Sequence, residues 1–441
     1  MNPSPSARLG ARVWSAIVVL GLAGQLAWTV ENMYLNVFVY DTITDDPGVI
    51  ALLVAFSAIT ATLATIVIGA WSDRTGRRRV FVAAGYVLWG LSTAAFGFVS
   101  PETAAALLPG LDAVTAAIVT IVLLDCLMSF LGSGANDAAF QAWVTDTTVP
   151  ANRGRVDGVL SIMPLLGMLI VFGALDGLTR AGEWRTFFGV VGLATAVVGL
   201  IAAFTVRDRA PGIRDGGAFS DLIYGLRPST VRKHPRLYEL LVLLAVVGIS
   251  TQVFLPFLII YLQRTLRIDG YAIVLGVVLI VASVVSVLGG RVIDRVGKLR
   301  AILPSIGILS AGLIGMFFVR DMLGVIIAGS VMMSGFMLSF AAITATIRDH
   351  TPADRAGTVQ GLRMIFAIMI PMILGPIIGA SVIVGAGETY LDLGVEKQVP
   401  TAWIFIAAAA VLVFTVPLVA IVRRSARRAE ERHEQPEAAE R

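Results

Sequence analysis

Two of the carboxyl groups that lie inside long apolar stretches of this 441-residue chain are candidates for proton transfer. Asp125 is near the middle of the stretch at 113–144, and Glu31 lies in the stretch at 13–40. A charge is costly to bury in an apolar medium, and protonation is the simplest reaction that removes it from a carboxylate. We therefore expect Asp125 first, and Glu31 second, to take up and release a proton.

Further polar side chains accompany these carboxyls at steps of three, four and seven, which places them on one face of each helix. The first stretch carries Gln25, Trp28, Thr29, Asn32 and Asn36, and the fourth carries Ser129, Gly132, Asn136 and Trp143. We expect these side chains, together with Gln252 and Arg363 in the second half, to line a ligand cavity. Amides beside tryptophan can hydrogen-bond the rim of a hydroxylated ring and cover its apolar face. The alternative is that these groups only tie helices together or line water.

Asp137 and Arg363 both lie towards the same side of their apolar stretches. They could form an ion pair across a cavity, or they could recognise a charge on a bound molecule. The spacing of the residues leaves both interpretations open.

The elements that must position these residues are membrane helices. The chain is 57% apolar and only 15% charged, with a mean hydropathy of +0.84, far from the values of soluble globular proteins. Twelve stretches reach the length of about 20 residues that a membrane-spanning helix needs. They lie near 13–40, 48–71, 80–99, 113–144, 154–178, 184–205, 238–262, 270–290, 300–319, 322–347, 357–385 and 400–422. The predicted fold is all-α with twelve transmembrane helices.

The sequence contains no residue pattern typical of a metal site, a redox site or a nucleotide-binding site. The single cysteine, Cys126, permits neither a disulfide framework nor a cysteine-based metal site. The histidines His234, His350 and His433 all fall in predicted loops or in the tail, and there is no Walker-type phosphate loop. We therefore expect no cofactor, no metal and no enzymatic activity.

The 34 Lys and Arg residues are concentrated in alternate connections between the apolar stretches, on the side of the N-terminus. By the positive-inside rule both termini are cytoplasmic, and the expected location is the inner (plasma) membrane. The net charge of +4 then reflects topology and attraction to the lipid bilayer, and no nucleic-acid partner is expected. The first stretch is too long and too polar for a cleaved signal peptide. A monomer is expected.

One pattern occurs twice, about half the chain length apart. Gly69-Ala-Trp-Ser-Asp73-Arg74-Thr-Gly76-Arg77 is repeated as Gly290-Arg-Val-Ile-Asp294-Arg295-Val-Gly297-Lys298. Gly21-x-x-x-Gln25 likewise matches Gly248-x-x-x-Gln252, and Asp146 with Gly154 matches Asp349 with Gly357. Such repetition indicates a duplicated six-helix unit.

The expected domains are 1–206, a linker at 207–237, 238–423 and a charged tail at 424–441. Within the linker, Phe219, Leu222, Ile223 and Leu226 could form an amphipathic surface helix or belong to a simple tether.

The repeated pattern resembles the signature of the major facilitator superfamily, which lies between helices two and three of its transporters. The resemblance implies alternating access between two bundles, with the signature residues as a conformational switch. It further implies that Asp73 faces the start of helix eleven near Gly357, and that Asp294 faces helix five near Gly154. A helix dipole would attract each carboxylate there. These latches would hold the cytoplasmic side closed.

Within the superfamily the chain looks somewhat like the glycoside and sugar cation symporters. Those carriers have two aspartates on helix two where this chain has Ala61 and Thr65, which speaks against sodium as the coupling ion. The expectation is therefore proton-coupled symport of a small solute, a sugar or glycoside. A drug or lipid exporter is the alternative, supported by Met332, Met333 and Met337, while Gly375-Pro376 leaves it open without favouring it. A non-transporting sensor or scaffold with the same fold is the alternative of another class.

Overall fold

A computed structural model describes residues 9–208, 227–351, 356–392 and 395–425. This part of the chain contains twelve helices that are long and apolar enough to cross a membrane, which confirms the predicted number. We number them spans 1 to 12: Ala11–Thr42, Pro47–Thr75, Arg78–Phe98, Ala113–Thr147, Asn152–Arg180, Trp184–Thr205, Pro235–Thr265, Tyr271–Ile293, Lys298–Phe318, Met322–Asp349, Gly361–Ala386 and Trp403–Ser425. The proposed amphipathic segment at 219–226 and the tail beyond Ser425 lie outside the described residues.

The chain divides into two compact units, Met1–Phe219 and Ser220–Arg441. Each unit contains six of the spans. We call them the first and the second unit.

Small residues let helices inside each unit approach until their backbones touch. A Cβ atom on Gly90 in span 3 would overlap the carbonyl oxygen of Gly192 in span 6, and the converse also holds. In the second unit, a Cβ on Gly312 would overlap the backbone of Met332, and one on Gly335 would overlap that of Leu309. Close contact of this kind is how helices gain packing energy in a bilayer, where burial of apolar surface adds little.

Aspartates begin three of the spans. Asp46 accepts a hydrogen bond from the Gly48 amide at 2.8 Å, with Pro47 in the first helical turn. Asp112 and Asp321 cap spans 4 and 10 in the same way. Each carboxylate satisfies an amide that the first turn of a helix leaves without a partner. The starts of these three spans are therefore encoded locally.

Five spans contain a π-helical segment, which no sequence pattern indicated. These segments are Val30–Tyr34, Ser133–Phe140, Val171–Leu175, Tyr261–Thr265 and Ile365–Met369. A π turn holds an extra residue and so shifts the face on which all later side chains lie. The expected single polar face of span 1 is accordingly broken, because Asn32 is partly exposed whereas Thr29 and Asn36 are buried.

Short elements connect some of the spans. Helices Pro101–Leu107 and Pro228–Lys233 precede spans 4 and 7. An antiparallel hairpin of β1 (Thr389–Asp392) and β2 (Val395–Gln398) joins spans 11 and 12.

Candidate functional site

The first unit contains a buried cluster in which one carboxyl group meets two hydroxyl groups. Glu31 Oε1 lies 2.6 Å from Ser57 Oγ and 2.7 Å from Ser129 Oγ, and the two hydroxyl oxygens lie 2.8 Å apart. Glu31 is 5% exposed. The three residues come from spans 1, 2 and 4, so three helices meet at one polar point.

Asp125 completes this group, which we call the carboxyl cluster: Glu31, Ser57, Asp125 and Ser129. Asp125 is one helical turn before Ser129, is 1% exposed, and its charge acts on that of Glu31. Oε2 of Glu31 and Oδ1 of Asp125 are buried without a hydrogen-bond partner among the described residues. No described salt bridge includes either carboxyl. The two candidates selected from the sequence are therefore brought together.

The hydrogen count in the carboxyl cluster matters for its chemistry. Three oxygen atoms make three mutual contacts, but Ser57 and Ser129 supply only one hydroxyl hydrogen each. A proton on Glu31 would supply the third, and each oxygen could then donate one hydrogen bond and accept another. The arrangement suits a carboxyl group that binds a proton.

A third carboxyl residue, Asp137, lies outside the carboxyl cluster and is only half-buried. Asn136 Nδ2 donates to its Oδ1 at 2.7 Å, Ser133 Oγ to its Oδ2 at 3.1 Å, and the side chain of Trp28 also donates to it. Asn136 in turn accepts from the hydroxyl of Tyr86 at 2.7 Å. Asp137 is thus held in place by a largely buried polar network while part of it remains accessible.

Aromatic rings pack beside this network. Trp28 lies 5.1 Å from Trp89 between ring centroids, and Tyr86 lies 5.6 Å from Trp89. Trp89 is fully buried against Gly132, where a Cβ atom would come within 2.6 Å of the indole ring. Trp28 is the partly exposed member of this set, so an aromatic side chain and the carboxylate of Asp137 are available at the same place.

The amides of span 1 are partly occupied by their own helix. Asn32 Nδ2 donates to the Trp28 carbonyl at 2.8 Å, and Asn36 Nδ2 donates to the Asn32 carbonyl at 3.0 Å. These contacts fall at the π-helical segment, where the regular ladder of backbone bonds is interrupted. Gln25 and Asn32 remain half-buried, whereas Asn36 is enclosed. The side-chain oxygen of Asn32 therefore remains free to accept a bond, while one amide donor is used.

Three of the expected cavity residues, all in span 4, are buried in the interior of the first unit. Ser129 belongs to the carboxyl cluster, and Asn136 supports Asp137. Trp143 is 2% exposed, stacks on Phe140, and donates from Nε1 to the Arg207 carbonyl at 3.2 Å. It joins the ends of spans 4 and 6, away from the carboxyl cluster, because it follows Ser129 by about four helical turns on span 4.

The first signature loop contains an ion network that depends on Arg78, a residue not among the sequence candidates. Arg78 is 8% exposed and forms salt bridges with Asp73 and with Asp146, the latter at 3.2 Å from Nε to Oδ2. It also donates to Ser72 Oγ at 2.6 Å. Asp73 therefore has a cationic partner inside its own unit, next to the signature.

The second unit uses a related arrangement. Lys298 Nζ lies 2.6 Å and 2.8 Å from the two carboxylate oxygens of Asp349. Asp146 and Asp349 lie at the ends of spans 4 and 10. The sequence analysis matched them as repeats, and that match was the signal that could have revealed these ion pairs. In both units a basic residue of the signature region is bonded to the end of the fourth helix of the unit.

Comparison with known proteins decides the family. The sequence model of the Major Facilitator Superfamily matches residues 17–376. The chain belongs to the major facilitator superfamily. It is thus a multi-pass membrane protein and a secondary transporter.

Solved structures of this superfamily share the fold. A bacterial homolog of the human lysosomal transporter Spinster, in an inward-facing and occupied conformation, aligns with a TM-score of 0.71 at 16% identity over 93% of this chain and 96% of that chain. The nucleoside transporter NupG aligns with a TM-score of 0.68 at 12% identity over 94% of this chain and 99% of that chain. No curated protein matches the chain.

The repeated Gly-x-x-x-Gln segments of this superfamily member have equivalent packing in the two units. A Cβ on Gly167 of span 5 would lie 3.0 Å from the backbone of Gln25, and one on Gly375 of span 11 would lie 2.7 Å from that of Gln252. Gly375, considered above as part of an exporter-like motif, therefore has a packing role against span 7. Gln252 and Arg363 are both half-buried.

Several expectations for the transporter concern both units at once and stay predictions. These are the latch of Asp73 near Gly357, the latch of Asp294 near Gly154, and the pairing of Asp137 with Arg363. The role of the signature residues as a conformational switch rests on those latches and stays a prediction with them.

Proposed function

We propose that this protein is a proton-coupled symporter that takes up a small hydroxylated solute, a sugar or glycoside, by alternating access. Glu31 and Asp125 carry the proton, and the region around Trp28 and Asp137 contacts the solute. The observation that carries the proposal is the buried contact of Glu31 with Ser57 and Ser129. We further place the protein in the plasma membrane as a monomer with both termini in the cytoplasm.

Proton coupling is supported by the surroundings of the carboxyl cluster. Two carboxylates close together in an apolar interior repel each other, and neither has a cationic partner among the described salt bridges. Binding a proton neutralises one of the two carboxylates and so lowers the free-energy cost of burying their charges. Release of the proton needs contact with water, which alternating access would supply on one side at a time.

Coupling between proton and solute needs the two sites to affect each other. Trp28 and Glu31 are three residues apart on span 1, so they are neighbours on one helix. The charge of Asp137 also acts on Glu31. A solute that binds Asp137 would therefore alter the free energy of protonating Glu31, and protonation would alter solute affinity by the same factor.

The chemistry of the accessible groups favours a solute that donates hydrogen bonds. Asp137 offers carboxylate oxygens, and Asn32 retains its side-chain oxygen after its amide has bonded to the backbone. Trp28 adds an aromatic surface that suits the C–H face of a ring. Sugars and glycosides combine several hydroxyl donors with such a face.

Export of an apolar drug or lipid is the second candidate, favoured by methionines of span 10. Met333 and Met337 are half-buried, whereas Met332 is buried against Gly312 and forms part of the core. Flexible thioether side chains adapt to varied apolar ligands. Two of the three methionines on which this alternative depends thus remain accessible to a ligand.

The test is transport into proteoliposomes with an imposed pH gradient. Labelled sugars, glycosides and cationic dyes would be compared for the natural protein, Asp125→Asn and Asp112→Asn. Asp112 is an exposed helix cap on the same span, and asparagine is also a good cap, so it is a matched control. We expect gradient-driven sugar accumulation in the natural protein and in Asp112→Asn, but not in Asp125→Asn.

Two results would contradict the proposal. Dye movement driven by the gradient, without any sugar signal, would make the protein an exporter. Sugar accumulation that is unchanged in Asp125→Asn and also in Glu31→Gln would remove the carboxyl cluster from the coupling mechanism.

A further inference from the structure

The second unit contains a cavity of about 570 Å³ at one end of its helices. Segments at the ends of spans 7, 8, 9, 10 and 12 contribute to its wall. Its charged and titratable lining residues are Arg236, Arg295, Lys298, Arg300, Asp349 and His350. Four of the six are arginine or lysine, so the cavity differs from the acidic and neutral groups of the carboxyl cluster.

The positive charge of this basic cavity is only partly compensated by its own lining. Asp349 is the one acidic lining residue, and Lys298 contacts both of its oxygens. Arg295 and Arg300 are exposed and take part in no described salt bridge. Two guanidinium groups are thus available for an anion.

A ring nitrogen adds to the polar wall. His350 Nδ1 lies 2.9 Å from the Thr346 carbonyl one turn earlier, which orients the imidazole and leaves Nε2 without that bond. Guanidinium groups bind phosphate oxygens through paired hydrogen bonds, and an imidazole can contribute another. The set of side chains therefore suits a phosphate group.

The surface around the basic cavity indicates which kind of molecule carries that phosphate. Val296 lines the cavity and is 50% exposed, and Val292, one turn earlier, is 57% exposed. Ile421, next to the lining residue Val422, is also exposed. Exposed apolar side chains at the ends of membrane spans contact lipid, so apolar surface begins directly at the mouth of the cavity. A ligand with both a phosphate and acyl chains would fit both features.

We propose that the basic cavity binds the phosphate of an anionic phospholipid headgroup. A bound phosphate would compete with Asp349 for Lys298. Because Arg295 and Lys298 belong to the second signature loop, the lipid would loosen the contact of this loop with the end of span 10. The membrane composition would then influence the loop that the family resemblance assigns to conformational switching.

Lipid binding can be measured on the full-length protein in a neutral detergent. Short-chain phosphatidylglycerol would be titrated against the natural protein, Arg295→Gln/Arg300→Gln, and Arg232→Gln/Lys233→Gln. The last variant loses the same charge from exposed residues that do not line the cavity. We expect the first variant to bind at least about tenfold more weakly, as loss of charge-assisted hydrogen bonds predicts, and the second to bind like the natural protein.

Short-chain phosphatidylcholine and inorganic phosphate are the comparison ligands. Binding of phosphatidylglycerol above both of these supports the proposal. Equal weakening by the two double variants would mean general charge attraction and would overturn it. If inorganic phosphate binds as tightly as the lipid, the cavity is a site for soluble anions. If no binding saturates, the cavity is not a lipid site.

If the Arg295→Gln/Arg300→Gln variant does not fold, Arg300→Gln alone takes its place. No transport is measured, so the result is independent of the proposed function.

Discussion

The hydroxyl oxygen of Ser129 lies 2.7 Å from Oε1 of Glu31, which bonds span 4 to span 1 inside the first unit. Ser57 of span 2 contacts the same carboxyl oxygen at 2.6 Å. A change in the charge of Glu31 therefore affects the contacts of three helices at once. This is the property required of a group that links proton binding to a change of conformation.

Replacement of Glu31 by glutamine should separate exchange from accumulation. Gln keeps the shape and the hydrogen-bonding ability of the side chain but cannot change its charge. We expect solute exchange across the membrane without a gradient to persist, while accumulation driven by a pH gradient is lost. Counterflow and gradient-driven uptake in the same proteoliposomes measure the two. Glu102→Gln, at an exposed position, should leave both unchanged.

Asp137→Asn should weaken solute binding. The carboxylate is oriented by Asn136 and Ser133, and a hydrogen bond to a charged group is stronger than one to an amide. We expect about a tenfold rise in the dissociation constant, equal to about 1.4 kcal/mol. Equilibrium binding of the labelled solute measures it, with the exposed Asp157→Asn as control. Unchanged affinity would place the solute elsewhere.

Gly24→Ala should destabilise the first unit. A Cβ atom at this position would overlap Oδ1 of Asn136, which also accepts from Tyr86. Overpacking of this kind costs about 1–3 kcal/mol. Thermal unfolding in detergent should show a lower midpoint, whereas Gly158→Ala, which has open space around its Cβ position, should not lower it. Equal midpoints for the two variants would argue against the packing described for span 1.

Arg78→Gln should lower stability more than Arg79→Gln. Arg78 is buried and bonded to Asp73 and Asp146, whereas the Arg79 side chain is exposed. Removing Arg78 takes away the guanidinium that Asp73 and Asp146 share, at a cost of about 1 kcal/mol, because both carboxylates are more than a third exposed. The difference between the two unfolding midpoints measures the effect. A larger effect of Arg79→Gln would contradict the ion network.

The orientation of the chain can be tested with reporters fused to the C-terminus. The distribution of Lys and Arg predicts a cytoplasmic C-terminus. A fused green fluorescent protein should be fluorescent, and a fused alkaline phosphatase should be inactive. Phosphatase activity without fluorescence would reverse the predicted topology.

Local features of the sequence were sufficient for the architecture. A membrane-spanning helix requires a continuous apolar stretch, so its existence can be read from neighbouring residues, and all twelve spans were found in this way. The signature around Asp73 and its repeat around Asp294 likewise sufficed for the superfamily, which the match over 17–376 establishes. The position of Glu31 and Asp125 within apolar stretches also indicated that both carboxyl groups are buried.

The partners of these residues were decided by the tertiary structure. Whether Ser57 contacts Glu31 depends on how spans 1 and 2 cross, and no local pattern encodes a crossing. The π-helical segments that precede Asn36 and Trp143 could not be predicted from spacing, although one extra residue in a turn redirects the side chains after it. Arg78 was missed for a related reason. The positive-inside rule accounts for every arginine in that loop, so the sequence does not indicate which of them is buried. Only the packing of span 4 beside the loop makes Arg78 the buried one. Helical periodicity determines neighbours within a span, whereas contacts between spans arise from packing over the whole unit.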